Sequence, residues 1–163
     1  MESVKDDPLL FCIFCLVIRC GLSAGDICVL KVEDIKCDDT GKAVAFITHG
    51  AKTRTILIPP DVFSLIRNYT SAESGHLFLN RQNLPLSYKT LNLYVRNAIT
   101  AAGFHFTLQD MRNAAIAYML HGGAGFNETA AYVGISERWL YRYKDVLDNL
   151  SIPPCEYQNF RLK

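Results

Sequence analysis

Apolar residues recur every three or four positions along most of the chain, the spacing of helices that bury one face. The first helix is predicted from Pro8 to about Cys20, with Asp6 or Asp7 as its N-cap and Gly21 at its end. Six more helices are predicted after residues that cap helices well. These capping residues are Ser23, Asp61, Ser87, Thr107, Asn127 and Ser136, and the last helix is expected to run to about Asn149.

A second pattern, rich in β-branched residues, predicts a small sheet in the first third of the chain. Residues 43–48 and 53–58 are predicted to form a β-hairpin with residues 49–52 at its tip. Weak alternation over residues 32–37 predicts a third strand at the edge. The expected fold is therefore mainly α with a small three-stranded antiparallel sheet.

Length and composition narrow the class of protein. The chain has 163 residues, of which 50% are hydrophobic and 20% charged, as expected for one globular domain over residues 1–148 with a tail over 149–163. The net charge of +1 excludes a polybasic binder but allows a local basic patch. The longest apolar run, residues 9–18, would span about 15 Å as a helix, roughly half a bilayer core. We expect an intracellular protein with no membrane partner.

The six cysteines include a Cys-x-x-Cys pair, Cys12 and Cys15. A structural zinc site needs two further ligands, usually another close pair, and the sequence has no such pair. The pair also lies within an apolar helical segment, where thiols are ordinary core groups. We therefore predict that these cysteines belong to the core, and no metal or other cofactor is expected.

Four segments follow one another in a distinctive order. They are GLSAGDICVLKVEDI, the hairpin with Lys52 and Arg54 near its tip, TLQDMRNAA, and ETAAYVGIS followed by WLYRYKDV. Together they resemble the catalytic domain of the tyrosine recombinases, the phage integrase family, over about residues 8–148. The resemblance implies double-stranded DNA as partner and no cofactor. It also implies a reaction in which a tyrosine hydroxyl attacks a DNA phosphodiester and forms a 3′-phosphotyrosyl link.

The resemblance assigns three active-site roles. Tyr143 matches the nucleophile, with Tyr141 as the alternative, and Arg112 matches the second arginine that clamps the phosphate. Lys52 matches the hairpin lysine that protonates the leaving oxygen, although a shift of one residue in the hairpin stays open. The other three positions are substituted: Ser23 stands for the first arginine, and Gln109 and Ile135 stand for histidines.

The three substitutions predict impaired or lost strand cleavage. Removing one preorganised phosphate contact typically costs about 3 kcal/mol of transition-state stabilisation. Ile135 is the most severe change because it places an apolar side chain where a polar contact is expected. Arg19 and His105 each lie four residues before a substituted position and are candidates for rescue, but a helix or loop boundary intervenes in both cases.

DNA contacts are expected from a set of cations that survive despite the substitutions. The set comprises Lys52, Arg54, Arg112, Arg138 and Arg142. The simpler interpretation of each is a solvated surface charge, and Tyr143 could simply pack beside Trp139, four residues earlier on the same helix face.

Three functions therefore stay open: a DNA-binding domain with degraded chemistry, an active recombinase that uses Tyr143, and a protein-interaction module on the same fold. Family members usually carry an N-terminal DNA-clamping domain. We expect this chain to be a fragment of a longer protein or a stand-alone remnant of a mobile element. Its tail resembles the family segment that docks on a neighbouring protomer, so self-association through residues 149–163 is possible.

Overall fold

Helix α1, Pro8–Cys20, lies at the centre of the fold. Eight of its 13 residues are buried, and it packs against two other helices, Pro60–Tyr69 and Leu108–His121, and against the strand Arg54–Ile58. Asp7 caps it by accepting a hydrogen bond from the Leu10 N–H at 3.1 Å, and Gly21 ends it in the left-handed conformation at φ +69°. These boundaries match the predicted ones.

The computed structural model describes residues 7–49 and 53–143. Within these ranges the chain forms seven α-helices, two 3₁₀ turns and one three-stranded sheet. After α1, the helices are α2 (Ala24–Val29), α3 (Pro60–Tyr69), α4 (Tyr88–Ala101), α5 (Leu108–His121), α6 (Phe126–Val133) and α7 (Glu137–Leu140). The fold is mainly α, as predicted.

The sheet contains β1 (Ile35–Cys37), β2 (Ala43–Ile47) and β3 (Arg54–Ile58), in that order and antiparallel throughout. Ala45 of β2 pairs with Ile35 on one side and Ile56 on the other. Alternate residues face the core, so Ala45 and Ile56 are fully buried while Leu57 is exposed. The predicted hairpin is confirmed, and a third strand pairs with its first strand at the edge of the sheet.

The predicted edge strand over residues 32–37 was partly wrong. Val32–Asp34 forms a 3₁₀ turn, and only Ile35–Cys37 pairs with the sheet. The Asp34 carboxylate accepts a hydrogen bond from the Lys31 N–H at 3.0 Å, which stabilises a turn at this point instead of an extended strand.

Two predicted helix starts were displaced. Helix α3 begins at Pro60 rather than after Asp61, because proline tolerates the first helical position, and Asp61 instead forms an ion pair with Arg19 at 2.8 Å. Helix α6 begins at Phe126 after Gly125, so Asn127 lies inside its first turn.

The last predicted helix is short within the described part of the chain. Helix α7 spans Glu137–Leu140, and Tyr141–Tyr143 tightens into a 3₁₀ turn in which the Tyr141 ring stacks on Phe126 at 5.8 Å between centroids. The predicted continuation to Asn149, the boundary at residue 148 and the tail over 149–163 lie outside the described residues.

The cysteine pair belongs to the core, as predicted. Cys12 and Cys15 are buried in α1, and burial raises the pKa of the Cys12 thiol to about 12 and that of Cys15 to about 11. Across residues 7–49 and 53–143, no three or more His, Cys, Asp and Glu side chains group in a way that could hold a metal ion. None of the helices described here is both long and apolar enough to cross a membrane.

Candidate active site

Arg112 is fixed in place by the ends of two helices. Helix α5 begins with a capping box, in which the Thr107 hydroxyl accepts from the Asp110 N–H and the Asp110 carboxylate accepts from the Thr107 N–H. Arg112 follows in the next turn and is only 8% exposed. Its Nε donates to the Gly21 carbonyl at 2.9 Å and its Nη2 to the Val133 carbonyl. The backbone therefore sets the orientation of this guanidinium.

Arg112 also lines two cavities. The first has a volume of about 620 Å³ and mostly apolar walls, and the second has a volume of about 460 Å³. Gln109 lines both cavities as well. Burial lowers the pKa of the Arg112 guanidinium below its usual range, partly offset by the nearby Asp26 carboxylate. The side chain remains a cation because the usual pKa of arginine is far above neutral pH.

The first cavity brings Arg112 together with Tyr143, Ile135 and Arg142. The half-buried Tyr143 hydroxyl donates a hydrogen bond to Asn113 Oδ1 at 2.7 Å. Gln109 Nε2 donates to the same oxygen, also at 2.7 Å. Asn113 is thus the residue that joins two of the predicted site positions.

The electrostatics around Tyr143 oppose ionisation of its phenol. Burial raises the pKa of Tyr143 above its usual value, and the opposing effects of Arg112 and Arg142 are smaller. An attacking phenolate is therefore not favoured in this arrangement. Tyr141, the alternative nucleophile, is 60% exposed and lines neither cavity.

The second cavity contains Ser23, Gln109 and Arg112 together with His49. The Ser23 hydroxyl accepts from the Asp26 N–H at 3.1 Å, while the Asp26 carboxylate accepts from the Ser23 N–H at 2.7 Å. This capping box begins α2 and engages the Ser23 side chain. Ser23 and Gln109 bring no charge to this cavity.

Arg54 requires a correction, because it does not lie at the hairpin tip as a solvated charge. It is the first residue of β3, and its side chain is only 9% exposed. Its Nη2 forms an ion pair with Asp26 Oδ2 at 2.5 Å, and its Nε donates to the Tyr132 carbonyl at 3.1 Å. Gly134 makes room for it, since a Cβ there would lie 2.7 Å from the Arg54 guanidinium carbon. Arg54 thus connects β3, α2 and α6.

The remaining predicted cations occupy different surroundings. Arg138 is exposed, and the guanidinium carbon of Arg142 lies 4.0 Å from the centroid of the Trp139 ring. Lys52 lies outside the described residues. Arg19 pairs with Asp61, and His105 is exposed and lines neither cavity, so the described contacts do not bring these two rescue candidates into the site.

Comparison with known proteins decides the family. The sequence model of the phage integrase family matches residues 3–139. The chain belongs to this family. No curated protein sequence gives a significant match to it.

Solved integrases and recombinases share the fold. XerA recombinase matches with a TM-score of 0.75 and 17% identity over 99% of this chain and 60% of that protein. The Tn1549 transposon integrase in complex with circular intermediate DNA matches with a TM-score of 0.68 and 13% identity, over 98% of this chain and 61% of that protein. A lambda integrase dimer bound to a COC′ core site matches with a TM-score of 0.65 and 18% identity, over 93% of this chain and 46% of that protein. The chain thus spans roughly half to three fifths of each relative.

Within this integrase fold, five of the six positions expected from the family line the two cavities around Arg112. They are Ser23, Gln109, Arg112, Ile135 and Tyr143. Sequence reasoning missed Asn113 and His49, which line the same cavities. Asn113 carries a usable signal, since it lies four residues after Gln109 on one helix face.

Proposed function

We propose that this integrase-family domain binds duplex DNA over the two cavities and has lost efficient strand cleavage. One observation carries the proposal: Arg112 is held by two backbone carbonyls and lines two cavities in which Ser23, Gln109 and Ile135 supply no charge. A fixed guanidinium suits binding of a phosphate. A single fixed arginine provides only part of the charge stabilisation that phosphoryl transfer needs.

The surroundings of Tyr143 support loss of cleavage. Its hydroxyl donates to the Asn113 amide oxygen, which also accepts from Gln109, so it has no described base as hydrogen-bond partner. An amide oxygen is a poor proton acceptor compared with imidazole or carboxylate. In-line attack would therefore start from a neutral phenol whose pKa burial has raised.

DNA contact is proposed for four of the cations predicted from the sequence: Lys52, Arg112, Arg138 and Arg142. Arg54 is assigned a positioning role instead, since it is nearly buried against Asp26 and the Tyr132 carbonyl. The solved lambda and Tn1549 integrases contain DNA, which supports DNA as the partner of this fold. A remnant of a mobile element fits a domain that keeps binding after cleavage is lost.

The test of binding is its dependence on salt. Four phosphate contacts predict a slope of about −3.6 for log affinity against log salt, because each neutralised phosphate contributes about −0.9. Arg138→Gln and Arg142→Gln should each make the slope shallower by about 0.9. Arg67→Gln is the matched control, since Arg67 is an exposed cation on α3 and lines neither cavity.

The measurement is fluorescence anisotropy of a labelled duplex of about 30 base pairs, titrated between about 50 and 200 mM salt. Absence of binding at low salt, or an equal effect of Arg67→Gln, would remove the DNA-binding proposal and favour a protein-interaction module. The control variant should bind with the slope of the unmodified protein.

A further inference from the structure

His49 follows β2 and occupies an unusual position beside α2. Its imidazole lies directly against Gly25, where a Cβ would come within 2.3 Å of ring atom Cε1. Glycine at position 25 therefore makes space for the ring. The side chain is 47% exposed and lines the second cavity together with Arg112. The ring is thus both packed on one side and open to a ligand.

A buried carboxylate holds the same ring. His49 Nδ1 lies 3.3 Å from Asp26 Oδ1, and Asp26 is 1% exposed. The other carboxylate oxygen, Oδ2, accepts from Arg54 and from the Ser23 N–H, so Asp26 itself cannot turn freely. An imidazole whose Nδ1–H donates to a carboxylate has a fixed orientation and keeps Nε2 for a second partner.

We propose that protonated His49 is a phosphate-binding cation of the second cavity, which makes DNA binding by this domain depend on pH. The proposal rests on the DNA binding proposed above. The charged and titratable groups around the ring are Asp26 on α2, Arg54 on β3, and Arg112 and Tyr88, which line the same cavity from α5 and α4.

The direction of the pH effect follows from the charge. Histidine is the side chain that ordinarily changes charge between pH 5 and 8. A proton on His49 adds a positive charge to a cavity in which Ser23 and Gln109 are neutral. Affinity for DNA should therefore rise as the pH falls from 8 to 6, by about tenfold, the size expected for one charge-assisted hydrogen bond. The salt slope should steepen by up to about 0.9 over the same range.

The experiment compares duplex affinity at pH 6 and pH 8 by fluorescence anisotropy in four proteins. The unmodified protein should show the tenfold ratio, and His49→Gln should reduce the ratio to near one. His49→Lys carries a permanent charge, so it should also give a ratio near one but bind more tightly than His49→Gln at pH 8. His76→Gln is the matched control, since His76 forms an isolated backbone β-bridge with Lys31 and lines neither cavity. This variant should keep the full ratio of affinities. Circular dichroism spectra confirm that each variant is folded.

The outcomes separate this proposal from the one on which it rests. If binding at pH 8 depends on salt but His49→Gln leaves the ratio of affinities at pH 6 and pH 8 unchanged, the role of His49 alone is overturned. Loss of the ratio in His76→Gln to the same extent would do so too. No salt-dependent binding at either pH would overturn both proposals.

Discussion

Gly134 should be the glycine whose replacement by alanine damages the fold most sharply. It ends α6 in the left-handed conformation, at φ +74°, and a Cβ there would lie 2.7 Å from both Cζ and Nη1 of Arg54. Arg54 cannot give way freely, because it is held by the Asp26 carboxylate and the Tyr132 carbonyl and is only 9% exposed. Gly134→Ala should therefore displace the guanidinium and leave Asp26 buried without its full partner.

The expected magnitude combines two effects. A non-glycine residue in the left-handed region costs roughly 1–2 kcal/mol. Breaking a buried ion pair by moving one partner costs about 3–5 kcal/mol, because the other charge stays buried. We expect Gly134→Ala to lower the free energy of unfolding by about 4 kcal/mol or more. Gly103→Ala is the matched control, with a similar φ of +80° and no atom within 4 Å of its added Cβ, and it should cost only about 1 kcal/mol.

The assay is urea denaturation followed by circular dichroism, with the slope against urea checked for constancy. A second arm repeats Gly134→Ala in an Arg54→Met background, where the extra cost should largely disappear because there is no guanidinium to displace. Equal costs for Gly134→Ala and Gly103→Ala, or an unchanged cost in the Arg54→Met background, would refute the argument that Arg54 holds β3, α2 and α6 together.

Two further predictions concern stability. Thr107→Ala should lower the free energy of unfolding of the domain by about 1 kcal/mol, since the Thr107 hydroxyl caps α5 by accepting from the Asp110 N–H at 3.1 Å. Thr107→Ser keeps a hydroxyl at the cap, so it should retain most of this stability in the same urea assay. Stability should also fall between about pH 9 and 12, because thiols ionise in the unfolded chain near their ordinary pKa of 9.0 while burial raises the pKa of Cys12 and Cys20 to about 12. Each such thiol contributes about 1.4 kcal/mol per pH unit in this window, so Cys12→Ala should make the decline measurably shallower, and an unchanged decline would contradict this assignment.

The features that the sequence predicted well are those set by residues close together in the chain. The capping boxes of Ser23 with Asp26 and of Thr107 with Asp110 each join residues three positions apart, so the starts of α2 and α5 were predictable. Asn127 had the right chemistry for a cap, but the helix begins two positions earlier than predicted, with Gly125 as its N-cap. Local preference alone does not distinguish these neighbouring starts.

The roles of individual side chains in the site were less predictable, because they depend on distant partners. Arg54 contacts Asp26, 28 residues away, and Tyr132, 78 residues away, so its position near a hairpin tip suggested a solvated charge. The spacing of Asn113 from Gln109 is a local signal, but its hydrogen bond with Tyr143, 30 residues away, is not. The family resemblance identified the positions around Arg112, whereas their hydrogen bonds required the structure.

Trapping of a covalent protein–DNA adduct shows whether this integrase-family domain has lost efficient strand cleavage. The substrate is a pool of duplexes of randomised sequence with a 5′-phosphorothiolate linkage, whose good leaving group removes the need for acid help at that position. We expect no adduct from the unmodified protein above the background of Tyr143→Phe, measured on a denaturing gel. Abundant adduct from the unmodified protein and from Tyr141→Phe, but not from Tyr143→Phe, would contradict it.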